Sequence, residues 1–182
     1  TSDSLPSAES VRLQVTTEKN AGKTAPKPTV AAVTSTSVTL NAVSGCEYRV
    51  GNGAWQTSPL FEVLSPATSY VFYQRYAETS SAFAGGSSAG TSVTTDKKSG
   101  KTAPAPILKS ASANTVILNA YTGMEYRRAG GTWQSSATFT GLSPNTAYTF
   151  YQRYAETADS YAGAESPAFT AATSKQAGGT AA

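Results

Sequence analysis

Leu64-Ser65-Pro66-Ala67-Thr68-Ser69-Tyr70 runs without a break into Val71-Phe72-Tyr73-Gln74-Arg75-Tyr76-Ala77-Glu78-Thr79. A Leu-x-Pro turn gives way here to a long run of aromatic and β-branched residues, the composition of a strand leaving a corner. The second part of the run, Phe72 through Thr79, returns unchanged as Phe150 through Thr157, 78 residues later. The corner returns with it as Leu142-Ser143-Pro144-Asn145-Thr146-Ala147-Tyr148. Self-similarity at a fixed period takes precedence over any local reading, because it sets the number of units.

The same offset carries Lys23-Thr24-Ala25-Pro26 onto Lys101-Thr102-Ala103-Pro104, Glu47-Tyr48-Arg49 onto Glu125-Tyr126-Arg127, and Trp55-Gln56 onto Trp133-Gln134, with no gap. The expected division is a repeat at 23–100, a repeat at 101–178 and a tail at 179–182. Residues 1–22 keep the register: Thr1-Ser2 falls on Thr79-Ser80, Leu5 on Phe83, and Val15-Thr16-Thr17 on Val93-Thr94-Thr95. They are expected to be the terminal strand and linker of an upstream copy, cut from a longer array. Val11, Leu13 and Val15 alternate as that strand and are expected to dock on a neighbouring unit or another molecule, since an orphan strand exposes unpaired backbone.

Helical periodicity is missing, and short β-rich runs sit between turn signals. In the first repeat the expected strands are Thr29 to Val33, Ser37 to Asn41, Cys46 to Val50, Trp55-Gln56, Leu60 to Val63, Tyr70 to Ala77 and Gly90 to Thr95. Asn52-Gly53 signals a type I′ hairpin turn, as does Gly130-Gly131 in the second repeat. Seven short strands at this spacing predict an all-β chain of tandem seven-stranded Greek-key sandwiches in an elongated arrangement. The Leu-x-Pro-x-Thr-x-Tyr runs read as tyrosine corners, in which the hydroxyls of Tyr70 and Tyr148 bond back to main chain near Pro66 and Pro144.

On these residues the chain resembles fibronectin type III domains. It is most similar to the fibronectin-III-like tandem repeats of secreted and wall-attached bacterial proteins. The resemblance covers nearly the whole chain and departs at one position: the family's core Trp on the second strand is replaced by Leu40 and Leu118. It implies an extracellular, cell-surface location, other repeats of the same parent as partners, and a structural role as spacer or stalk. The second role it admits is an adhesin-type module that binds a host glycoprotein, an immunoglobulin or a polysaccharide through an exposed Tyr/Arg sheet face or the interdomain groove.

Composition narrows the chemistry further. There is no histidine and one cysteine, which excludes imidazole-based catalytic triads, histidine metal ligands and an intrachain disulfide. No catalytic, cofactor or metal residue is assigned, and a glycosidase-like pair around Glu78 or Glu156 lacks its second carboxylate. No apolar run is long enough to insert in a membrane. The basic cluster Lys97, Lys98 and Lys101 lies in a Ser/Gly stretch and is expected to be a solvated linker. It is too sparse for nucleic acid.

Strand alternation supplies the one candidate ligand face. If Tyr70 and Phe72 point inward, Tyr73 and Arg75 point outward, with Glu47 and Arg49 outward on the neighbouring strand. The second repeat presents Tyr151, Arg153, Glu125 and Arg127. The competing reading is a ladder of cross-strand ion pairs and aromatics with no ligand. Gln74 and Gln152 are then directed inward, where their amides need partners. Trp55 and Trp133 have the form of sugar platforms. Counting across the hairpin, however, sets Trp55 opposite Val50, predicting an indole that closes the core end. The same count sets Trp133 opposite Arg128, predicting a cation–π contact there. Cys46 aligns with Met124 and is expected to be a buried structural thiol.

Overall fold

The computed structural model describes residues 12–178. They form twelve strands and no helix: β1 (Val30–Val33), β2 (Val38–Leu40), β3 (Cys46–Val50), β4 (Leu60–Phe61), β5 (Ser69–Tyr76) and β6 (Thr91–Thr94), then β7 (Leu108–Ala111), β8 (Val116–Leu118), β9 (Met124–Arg128), β10 (Thr138–Phe139), β11 (Ala147–Tyr154) and β12 (Phe169–Ala172). Every strand from β7 onward begins and ends 78 residues after its counterpart, so the repeat in sequence is a repeat in structure. The strands make four three-stranded sheets, in the orders β1-β2-β4, β3-β5-β6, β7-β8-β10 and β9-β11-β12.

By their contacts the residues divide into two compact units. One comprises Leu40–Pro59, Val71–Thr91 and the described residues up to Thr29; the other comprises Val30–Thr39, Leu60–Tyr70 and the described residues from Ser92 on. Within the first unit β3 pairs antiparallel with β5, Glu47 opposite Arg75 and Arg49 opposite Tyr73. The second unit holds the whole of the later copy. There the strict alternation of β8 and β9 drives Val116, Leu118, Met124 and Tyr126 inward, where they pack with Phe150, Leu142 and Ala171. Phe139 meets Phe150 at 4.8 Å between ring centroids, in a tilted pair. This core lies between two sheets and makes a β-sandwich. The same positions of the earlier copy, Val38, Leu40, Tyr48 and Phe72, are equally buried.

The seventh strand of each copy is reduced to one residue pair. Tyr48 and Gln56 exchange both backbone hydrogen bonds, at 2.7 and 2.9 Å, and no ladder continues from them. Gln56 then turns its side chain onto the Ser58 carbonyl (2.8 Å), and Pro59 follows, which has no N–H to donate. Tyr126 and Gln134 repeat the bridge. Counting it, the chain sets three strands in one sheet and four in the other in each copy, the arrangement of a fibronectin type III-like fold.

The hairpin turn differs from the type I′ expectation. Its closing bond runs from Gly53 N–H to the Val50 carbonyl, and the left-handed residue is Gly51 (φ 53°), not Asn52. In the later copy the bond joins Gly131 to Arg128, with Gly130 left-handed (φ 75°). Since Tyr48 faces Gln56, Trp55 comes opposite Arg49, one residue away from the expected register.

Two other expectations change. Val11 lies outside the described residues; residues 12–19 belong to no strand, and Leu13 and Val15 are exposed. Pairing starts at Asn20, which bridges to Ala82. Lys98 and Lys101 are exposed, as expected of a solvated linker, but the stretch is also paired: Lys98 N–H donates to the Asp159 carbonyl, Tyr161 N–H donates to the Lys98 carbonyl, and Lys97 Nζ lies 2.6 Å from Glu156. The segment lies so close that a Cβ on Gly100 would sit 2.3 Å from the Ala162 carbonyl oxygen, and Gly22 meets Ala84 in the same way.

The end of β4 carries strain. Val63 has φ 58° and is 97% exposed, whereas its counterpart Gly141 holds the same conformation without a Cβ. A β-branched residue in this region costs about 1–2 kcal/mol. Val63→Gly is therefore expected to raise stability by about 1 kcal/mol in calorimetric or denaturant unfolding, and Gly141→Val to lower it by a similar amount.

Candidate functional site

The outward face of β3 and β5 gathers the candidate residues. Arg75 Nε donates to Glu47 Oε1 at 2.8 Å, directly across the strand pair. The Arg75 guanidinium lies 4.4 Å from the Trp55 ring centroid, and the Arg49 guanidinium 4.6 Å from it. Arg49 also lies 5.3 Å from the Tyr73 ring. The later copy repeats the set. Arg153 Nε donates to Glu125 at 2.9 Å, while Arg153 and Arg127 lie 4.4 and 5.1 Å from Trp133, and Arg127 5.4 Å from Tyr151.

Within each copy the four predicted face residues are thus brought together, and that copy's tryptophan joins them. This corrects the expectation that Trp55 closes the core end. Because side chains alternate with period two, a register shift of one residue moves the indole from the core to the outer face. Arg128 is corrected by the same shift: it lies 5.3 Å from the Tyr148 ring, not over Trp133. Each half-exposed cation–π contact is worth about 0.5–1 kcal/mol, and the partly exposed ion pairs no more than about 1 kcal/mol each.

The tyrosine corners form as expected. Tyr70 Oη accepts the Ser65 N–H at 2.8 Å, and Tyr148 Oη the Ser143 N–H at 2.9 Å. That donation from Ser143, the first cause, holds the Tyr148 phenol below its ordinary pKa. Pro66 and Pro144 offer their carbonyls to the Thr68 and Thr146 hydroxyls at 2.7 and 2.9 Å. Thr95 and Thr173, which the sequence did not single out, staple the corners from below. The Thr95 hydroxyl donates to Ser65 O at 2.6 Å and accepts Thr68 N–H at 3.0 Å.

Inside, Gln74 and Gln152 find the partners that the sequence left open. Their Nε2 groups donate to the carbonyls of Pro26 and Pro104, each at 2.9 Å, while each Oε1 is buried without a hydrogen bond. Glu78 pairs with Lys19, and Glu156 with Lys97, so these carboxylates are held by lysines. Among the described residues no three His, Cys, Asp or Glu cluster as a metal site would require. Among the same residues no helix is long and apolar enough to cross a membrane.

One charged residue of the face was missed. Glu165 accepts from Arg127 Nε at 2.6 Å, and the earlier copy has Ser87 at that position. The signal was present in the repeat itself, as a neutral-to-acidic exchange in the loop before the last strand.

Among solved structures, the chicken CNTN1 FN1–FN3 domains match 87% of this chain and 70% of their own, at 18% identity and a TM-score of 0.36. A segment of two fibronectin type III domains from chicken tenascin matches 79% of this chain and 97% of its own, at 16% identity and a TM-score of 0.38. No protein-family model matches the sequence, and no curated protein matches it.

Cys46 is buried and unpaired, as expected, and burial pushes its thiol above the ordinary pKa of a cysteine. A folded-state pKa above the unfolded one favours the folded form while the thiol is protonated, and this advantage fades as pH rises past the unfolded pKa. Stability is therefore expected to fall as pH rises above about 8.5. Cys46→Ala should flatten that part of the denaturation-midpoint profile. The tryptophan contacts give a second expectation: a double-mutant cycle between Arg153 and Trp133 should show about 0.5–1 kcal/mol of coupling.

Proposed function

We propose that the chain is a pair of non-catalytic structural repeats, 23–100 and 101–178, serving as spacer or stalk in an extracellular, wall-attached bacterial surface protein. The observation that carries this reading is that the outer sheet face turns its tryptophan and one ion-paired arginine of each copy on one another. Arg75 is held by Glu47 and Trp55, and Arg153 by Glu125 and Trp133, at matching distances in both copies. A platform for a sugar or a protein would offer its indole to solvent, whereas these indoles are overlaid by guanidinium groups. Repetition of a packing solution with so few changes suits a unit selected for shape. The lack of histidine in the whole chain agrees with a role that needs no proton transfer near neutrality.

Mechanical unfolding tests the reading. Pulling the chain by its ends is expected to give two separate rupture events. Each should release contour of roughly 250–280 Å before the folded length is subtracted, as 78 residues extend by ~3.3–3.6 Å apiece. One rupture that releases both copies together would contradict the assignment of two independent repeats.

A further inference from the structure

We propose that the earlier copy carries an acceptor site for a carboxylate of an acidic peptide segment, centred on Arg49, in the place that Glu165 fills in the later copy. This goes beyond the structural role, and either can fail without the other.

The inference rests on a comparison that the chain makes internally. In the later copy two guanidinium groups, Arg127 and Arg153, meet two carboxylates, Glu165 and Glu125. In the earlier copy the two guanidinium groups remain, but among the described residues Glu47 is the one carboxylate paired with them, and it is taken by Arg75. Arg49 is left with the Ser87 hydroxyl, 3.5 Å from its Nη2, at the limit of a hydrogen bond. Its Nε is buried with no hydrogen bond, although the same atom of Arg127 donates to Glu165 at 2.6 Å. A guanidinium with an unused donor edge donates strongly to a carboxylate, because the hydrogen bond is charge-assisted.

The surroundings favour an incoming group here. Ser87 is exposed. The loop around it, Gly85-Gly86-Ser87-Ser88-Ala89-Gly90, is built of small residues, where the later copy has Gly163-Ala164-Glu165-Ser166-Pro167-Ala168. The rings of Trp55 and Tyr73 hold the guanidinium in place, 4.6 and 5.3 Å from its carbon, so it is preorganised before a ligand arrives. An incoming carboxylate displaces Ser87 from Nη2 and gains the Nε–H donor. The internal template is a glutamate side chain, which is why an acidic peptide is assigned in preference to a uronic acid sugar.

The test uses the intact chain and two exchanges between its own copies. The isotope-labelled protein is titrated with a blocked peptide, acetyl-Gly-Glu-Gly-Glu-Gly-amide, while the Arg49 Nε–H and the two indole N–H signals are followed by NMR. The Gln version of the peptide and a short oligogalacturonate run in parallel. Saturable shifts at Arg49 and Trp55, small shifts at Trp133, and no response to the Gln peptide are expected. Ser87→Glu should weaken binding by at least ~10-fold, and Glu165→Ser should bring Trp133 into the response. Both variants place on an exposed loop a residue that the other copy already carries there, and unchanged melting curves verify folding. Equal responses at both indoles, no response in the wild type, or insensitivity to Ser87→Glu would overturn the site. A response to the oligogalacturonate alone would overturn the peptide assignment.

Discussion

A phenol hydroxyl set against the backbone N–H five residues upstream is the contact on which each copy is built. Among the described residues it is made by Tyr48 with Val43, Tyr70 with Ser65, Tyr126 with Tyr121 and Tyr148 with Ser143, at 2.6 to 2.9 Å. Each links a strand to the turn that delivers it. The turn leaves an N–H without a ladder partner, and a buried or half-buried tyrosine brings a hydroxyl that can accept from it. One bond meets both needs, and the ring that carries it packs into the sandwich. The turn geometry is demanding: Ala67 and Asn145, between corner proline and corner tyrosine, both sit at positive φ. With the ring fixed, the inward and outward positions of the strand behind it follow from period two alone.

That dependence explains what could be read in the sequence. The corner at Tyr70 was legible because Leu, Pro and Thr surround it at fixed spacing, and it placed Phe72, Tyr73, Gln74 and Arg75 on their correct faces. The corresponding contact of Tyr48 has no such neighbours, and nothing in Val43-Ser44-Gly45 announces it. The tryptophan face was lost at the hairpin for a related reason. Asn52-Gly53 is a strong turn signal, but the closing bond is made one residue earlier, with Gly51 taking the left-handed position. A glycine on either side of asparagine leaves two registers open locally. The choice is made by Tyr48 and Gln56, whose backbone pairing is a tertiary fact. The partners of the buried glutamines were illegible for the same reason, since Pro26 and Pro104 stand 48 residues upstream of them.

Comparison of the two copies separates what the fold demands from what it tolerates. Tyr, Phe, Gln and Arg of the long strand do not change, and each has a contact that its neighbours cannot supply. Cys46 exchanges with Met124 at a position that asks only for a small or flexible apolar group. Val63 exchanges with Gly141 where the backbone favours glycine, and the valine persists because its side chain is free of any packing conflict. Ser87 exchanges with Glu165 on an exposed loop where the backbone is indifferent. Of these three differences it alone alters charge, from an arginine with an idle donor to one that is neutralised.

The segments that enter each copy obey the same logic at the level of the chain. Lys19 and Lys97 hold Glu78 and Glu156, and Asn20 and Lys98 bridge in parallel to Ala82 and Ser160. A lone bridge is weak, and a partly exposed lysine pair adds less than about 1 kcal/mol. What fixes the path is the closeness of two backbones, with glycine on both sides: Gly22 lies against Ala84, and Gly85 against Lys23. Gly100 with Ala162 and Gly163 with Lys101 repeat that approach. A methyl group at any of these four positions would collide with a carbonyl, so the entry path is encoded by absent side chains. The Ser/Gly composition that reads as a flexible tether is the composition that lets the tether lie flat, and local sequence does not distinguish the two.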